Sequence, residues 1–151
     1  MPLRVSRVAP PDPVFRRMTP ARKATILVAE DSADSREMLQ ILLQIKGYAV
    51  ALAGDGFEAV DVAVHEVPDL MLMDLDLPGL DGLSVAKELR LHRELASMPI
   101  IMISGYEPMR YRQAALNAGC DDYLTKPIDF ERLDKILLDR VPAHFRHPGL
   151  A

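Results

Sequence analysis

Leu70-Met71-Leu72-Met73-Asp74-Leu75-Asp76-Leu77-Pro78-Gly79-Leu80-Asp81-Gly82 is the stretch on which the fold of this 151-residue chain turns. Its first four residues are apolar without alternation, the pattern of a strand covered on both faces, which is typical of a parallel strand inside an α/β sheet. The run ends on a carboxylate, and Pro78, Gly79 and Gly82 then punctuate the chain. Ile26-Leu27-Val28 and Ile100-Ile101-Met102-Ile103 have the same two-sided character.

Between these runs lie segments of helical period, and the alternation predicts five βα units. Strands are expected at 25–29, 48–53, 69–74, 99–104 and 121–125. In the first helix Met38, Leu42 and Ile45 lie beside Leu39 and Leu43, and Gly47 stops it. Phe57, Val60 and Val64 mark the second helix, Leu83, Ala86 and Leu89 the third, and Phe130, Leu133 and Leu137 the fifth; the fourth, near 108–118, has the weakest stripe. The second and fifth strands read as sheet edges. The fold class is therefore α/β, a doubly wound five-stranded parallel sheet in the order 2-1-3-4-5 with five helices, for which ligands sit at the carboxyl ends of the strands.

Composition sets the frame. The length suits one domain with one core. Cys120 is the single cysteine, so no internal disulfide can form, which suits a reducing cytoplasm. No apolar run is long enough to span a bilayer, and the N-terminus lacks a secretory signal pattern. Residues 1–24 carry net +5 of charge and five prolines, which leaves net −9 for the remainder and reads as a disordered basic arm. Such an arm is usually solvated, and nucleic acid is not the expected partner. The folded domain is expected over 25–139, followed by a flexible tail at 140–151.

The predicted topology brings Glu30 and Asp31 after strand one, Asp74 at the end of strand three, Ser104 at the end of strand four and Lys126 after strand five to a single crevice. Each alone has a plain explanation as a cap, a turn residue or a solvated charge. Together they do not, because three converging carboxylates repel one another unless a cation neutralises them. An all-oxygen donor set suits a hard octahedral ion, so Mg²⁺ or Mn²⁺ is expected and zinc is not.

Glu30-Asp31, Asp74 with Pro78, Gly79, Asp81 and Gly82 after it, Ser104, and Asp121-Asp122-Tyr123-Leu124-Thr125-Lys126-Pro127 together resemble the response-regulator receiver domain, a flavodoxin-like fold. The resemblance covers about residues 25–138 and implies a two-component phosphorelay switch rather than an enzyme. It implies that Asp74 accepts a phosphoryl group from a sensor histidine kinase or histidine phosphotransfer protein. Asp31, Asp74 and the backbone carbonyl of Asp76 would hold the metal, with Glu30 acting through a metal-bound water. Lys126 and Ser104 would bind phosphoryl oxygens. It also implies a cis Lys126-Pro127 bond. Glu30 stands where aspartate is more usual and Gly105 where alanine is, while Asp76 and Tyr106 occupy positions that influence phosphoryl lifetime in the family.

The resemblance further implies a switch pair, Ser104 and Tyr123, with the tyrosine ring turning inward from an exposed rotamer when the hydroxyl moves to the phosphoryl group. The face of helix four, strand five and helix five would then meet a downstream protein or a second copy of the chain. Two rivals are weaker. Asp74 and Asp76 fit the nucleophile and acid of a haloacid-dehalogenase-type phosphatase, but that motif normally sits on a first strand. A flavodoxin-like electron carrier would need a hydroxyl-rich phosphate loop after strand one, where Glu30 and Asp31 stand instead.

Overall fold

The computed structural model describes residues 22–142. The expected basic arm, apart from its last three residues, and the end of the expected tail lie outside the described residues. Strands β1 (Thr25–Ala29), β2 (Ala49–Ala53), β3 (Leu70–Asp74), β4 (Ile100–Ser104) and β5 (Asp122–Thr125) alternate with helices α1 (Ala33–Ile45), α2 (Gly56–Glu66), α3 (Gly82–Leu89), α4 (Pro108–Ala118) and α5 (Phe130–Arg140). A short 3₁₀ turn, Arg93–Leu95, leads into β4. All pairings are parallel and the order is β2-β1-β3-β4-β5, as expected. Every strand ends at the residue expected from the sequence, and β2 to β5 each begin one residue later.

The three central runs are buried because each side of the sheet has its own helical cover. Ile26, Val28, Leu70, Leu72, Ile101 and Ile103 cluster with Leu39 and Leu43 of α1 and Leu133 and Leu137 of α5. The residues of opposite parity, among them Leu27, Met71, Met73 and Met102, cluster with Ala59 and Ala63 of α2, Val85 and Leu89 of α3, and Ala115 of α4. Successive strand residues therefore feed two cores, which is why no polar residue interrupts these runs.

Two helices face the sheet differently from the expected stripes. In α1 the line through Leu39 and Leu43 is buried, Leu42 is half-buried, and Met38 and Ile45 are exposed. In α2 the buried positions are Ala59 and Ala63, whose small side chains let the helix approach the sheet; Phe57 and Val64 are exposed and Val60 is half-buried. Phe130 of α5 is exposed as well. Large apolar residues draw the eye in a sequence, but close packing selected the smaller neighbours here.

Helix starts follow capping chemistry. Ser32, Asp55, Asp81 and Asp129 each accept a hydrogen bond from a backbone N–H in the first turn of α1, α2, α3 and α5. Glu107 before α4 makes no such bond, and α4 buries only Ala115 and Ala118. The helix with the weakest stripe is also the one without a side-chain cap.

Candidate phosphoryl and metal site

Because all five strands are parallel, their carboxyl ends share one edge of the sheet. Ala29 is in register with Met73, and Asp74 with Ile103, so Glu30 and Asp31 leave β1 beside the end of β3. Ser104 is in register with Thr125, and Lys126 follows directly. The structure brings all the residues expected at the crevice to this edge. A Cβ at position 82 would stand 2.7 Å from the Asp74 carbonyl oxygen and 2.9 Å from Met102 Sδ, so only glycine lets the start of α3 close over the Asp74 strand. Asp81, part of the motif, caps that helix through Ser84 N at 2.9 Å.

Asp74 is buried, 4% exposed, and each carboxylate oxygen has a partner. Oδ1 accepts from the Asp76 N–H at 2.9 Å, and Oδ2 accepts from Lys126 Nζ at 2.6 Å. Lys126 Nζ also reaches Glu30 Oε2 at 3.4 Å. Lys126 precedes a cis peptide bond to Pro127, as the resemblance implied. Burial alone would lower the Lys126 pKa, but the hydrogen bond to Asp74 and the charges of Asp74 and Glu30 outweigh it and raise it.

Glu30 is buried as well, 3% exposed, and Oε1 accepts from the Ser32 N–H at 3.2 Å. Burial, reinforced by the neighbouring Asp74, pushes its pKa from 4.5 up to about 7. Asp31 is exposed; the cap of α1 that it might have supplied comes from Ser32 instead. Among the described residues Glu30, Asp31 and Asp74 form a group whose carboxylate oxygens lie within 4.8 Å of one another. Three carboxylates against one ammonium leave the cluster short of positive charge, and the donors are all oxygen, so the residues fit a hard divalent cation.

Ser104 is fully buried, and its Oγ accepts from the Tyr106 N–H at 3.1 Å. Tyr123 is not in the exposed rotamer expected of it. It is 1% exposed, and its hydroxyl donates to the Tyr106 carbonyl at 3.0 Å. The inward ring buries a large apolar area while its one polar atom stays satisfied. Both members of the expected switch pair are thus tied to the backbone of Tyr106, whose ring leans on Tyr111 of α4 with centroids 4.8 Å apart.

Sequence reasoning singled out Tyr106 for its position but missed its backbone contacts with Ser104 and Tyr123, which carry no signal in residue type, and it missed Arg36 altogether. Arg36, one turn into α1, donates from Nη1 to the Glu30 carbonyl at 2.8 Å and lies 3.4 Å from that of Asp31. An arginine four residues into a helix gives no hint of this in the sequence. A groove of about 800 Å³ between α2 and α3, lined by Phe57, Val60, Val64, Leu80 and Leu91, includes none of the crevice residues.

The family model of the response regulator receiver domain matches residues 26–138. Response regulator MprA of Mycobacterium avium is 41% identical over 108 residues, 72% of this chain but 46% of that protein. The MprA of Mycobacterium tuberculosis matches to the same extent, so the chain spans about half the length of these curated relatives. Among solved structures, the receiver domain of sensor histidine kinase PA1611 from Pseudomonas aeruginosa, with a magnesium ion coordinated in its active-site cleft, is 34% identical. It aligns with a TM-score of 0.74 over 80% of this chain and 98% of that one. Chemotaxis response regulator CheY4 of Vibrio cholerae is 31% identical, with a TM-score of 0.73 over 80% of this chain and all of that one. The phosphatase reading is not favoured, since the Asp74 strand is the third of five and the family match extends across it. A parallel sheet in this order, an acidic crevice at its carboxyl edge and a family match across 26–138 agree: the chain belongs to the response regulator receiver domain family.

Proposed function

We propose that this domain is a phosphorylation switch of a two-component system, in which Asp74 accepts a phosphoryl group from a phosphohistidine in a Mg²⁺-dependent reaction. The observation that carries this reading is the Asp74 carboxylate itself, buried at the carboxyl edge of the sheet, 2.6 Å from Lys126 Nζ and grouped with Glu30 and Asp31. Asp31, Asp74 and the Asp76 carbonyl would hold Mg²⁺ directly, with Glu30 through a water. Mn²⁺ is an alternative on the same donors. Bound there, the cation supplies neutralisation of phosphoryl oxygens.

In the transfer, an Asp74 carboxylate oxygen bonds to phosphorus as the phosphorus–nitrogen bond of the donor breaks, and the imidazole nitrogen leaves with the electron pair. Lys126 exchanges its contact with Asp74 Oδ2 for a phosphoryl oxygen. The Ser104 hydroxyl donates to another. None of these residues abstracts a proton, so the domain works by positioning and charge, and outside its own phosphorylation and dephosphorylation we assign it no turnover.

The switch follows from the Tyr106 backbone. When Ser104 Oγ moves toward a phosphoryl oxygen, the Tyr106 N–H loses its acceptor, and Tyr123, bonded to the carbonyl of the same residue, responds with it. The loop leads into α4, the helix without a side-chain cap, so the face of α4, β5 and α5 changes for a downstream protein or a second copy of the chain. The phosphodonor is a sensor histidine kinase or a histidine phosphotransfer protein, met in the cytoplasm.

Intact-mass measurement after incubation with acetyl phosphate and Mg²⁺ tests the reading. One phosphoryl group should be gained, and none in Asp74→Asn or in excess chelator. The same gain in either control overturns it.

A further inference from the structure

We infer that Arg36 is a positioning residue of the metal site, holding the backbone of Glu30 and Asp31 so that their carboxylates stay aimed at the cation. The inference rests on the Mg²⁺ reading above. Its starting point is electrostatic. Arg36 lies in the opening turns of α1, where the helix dipole disfavours a positive charge, and the neighbouring crevice is proposed to hold a divalent cation, which disfavours it again. A side chain that merely needed solvent would turn away. Instead Nη1 donates to the Glu30 carbonyl at 2.8 Å and approaches the Asp31 carbonyl at 3.4 Å.

These contacts complete a frame around the acidic turn. The Glu30 N–H donates to the Ala53 carbonyl at 3.0 Å, and Oε1 accepts from the Ser32 N–H at 3.2 Å. The Arg36 N–H donates to the Ser32 carbonyl at 2.9 Å. Arg36 therefore engages the carbonyls of three successive residues, the last through its backbone and the first two through its guanidinium. Asp31 is exposed, and its carboxylate is only as well aimed as the backbone beneath it. The guanidinium packs against Gly54, where a Cβ would stand 3.2 Å from Nη1. Glycine at 54 leaves the room that this placement uses.

The sign of the effect separates positioning from simple charge. Deleting a cation beside a cation site should tighten Mg²⁺ binding if charge were all that mattered. Positioning predicts the reverse, with a loss of the size seen when outer contacts of metal ligands are removed, about tenfold or more. The experiment is an amide chemical-shift titration of the full ¹⁵N-labelled chain with Mg²⁺, for wild type, Arg36→Ala, Arg36→Lys and Gly54→Ala, with melting in chelator as the folding control. Arg36→Ala should weaken binding at least tenfold while the spectrum away from the crevice is retained. Arg36→Lys, which keeps the charge but not the planar fork, should fall between it and wild type. Gly54→Ala, which changes no site residue but brings a Cβ to 3.2 Å from Arg36 Nη1, should weaken binding less than Arg36→Ala does, and it decides the matter if Arg36→Ala fails to fold. Wild-type affinity or tighter in Arg36→Ala, or an unaffected Gly54→Ala where Arg36→Ala is unfolded, overturns the inference while leaving the Mg²⁺ site intact. A wild-type chain that does not bind Mg²⁺ overturns both.

Discussion

Glu30 shows how far one residue's environment can depart from its type. Its carboxyl is driven up to about 7 by burial and by Asp74, so without metal it prefers its proton across the acid range. The folded-state value lies above the ordinary 4.5, so the stabilising contribution is complete below about 4.5 and is lost as pH rises through about 7. Thermal melts in chelator should accordingly show a component of stability that declines from pH 5 to pH 8 and is absent in Glu30→Gln. A wild-type slope that persists in the glutamine variant would assign it to another group. Cys120 is a second case: burial pushes its thiol up to about 12, so alkylation at neutral pH should be negligible in the native protein and should track unfolding in denaturant. At this scale the sequence was readable for where a side chain at a strand end would lie, as with Asp74 and Lys126, which meet at 2.6 Å. It was unreadable where a contact is made by a carbonyl or an N–H, as at Tyr106, and where a side chain bonds to a backbone, as with Arg36.

Elements owe their positions to contacts of the same indirect kind. Arg90, at the end of α3, donates to the Gly119 carbonyl from Nε at 2.9 Å and from Nη2 at 2.7 Å, and to the Leu95 carbonyl from Nη1 at 2.7 Å. Its Nη2 also lies 3.0 Å from Asp121 Oδ2, which accepts from the Ile100 N–H as well. One guanidinium thus joins the end of α3, the end of α4 and the starts of β4 and β5. Arg90→Ala should cost about 2–3 kcal/mol, since charge-assisted bonds to partly buried carbonyls are lost, and a lowered urea midpoint would report it. Val67, which ends α2 at φ 44°, is a β-branched residue in the left-handed region. Val67→Gly should therefore raise stability by about 0.5–1 kcal/mol, and an unchanged or lower midpoint would contradict the strain. The helices were legible in number and order, but α1 and α2 were not legible in rotation. Periodicity gives a stripe about one residue wide of ambiguity, and in α2 the choice between Val60 and Val64 on one side and Ala59 and Ala63 on the other depended on how closely the helix could approach the sheet.

At the scale of the whole molecule, the fold was legible because each central run is apolar on both sides, a demand made by no arrangement simpler than a sheet with helices on both faces. The inward Tyr123 was not legible, since a rotamer depends on what the loop beside it offers as an acceptor. Amide exchange with and without a stable phosphoryl mimic such as beryllofluoride in Mg²⁺ should show changes across 105–123, strongest at Tyr106 and the start of α4; changes confined to the acidic turn would sink the proposed switch while sparing the proposed acceptor, Asp74. Finally, Arg22 pairs with Asp69 at the start of β3, and Arg140 donates to the Asp121 carbonyl at the start of β5. The described chain therefore enters and leaves on the edge of the sheet opposite the crevice. Residues 22 and 140 thus lie at the pole away from Asp74. A fluorescent protein fused at either terminus should leave the rate of Asp74 phosphorylation by acetyl phosphate within about twofold of the unfused chain.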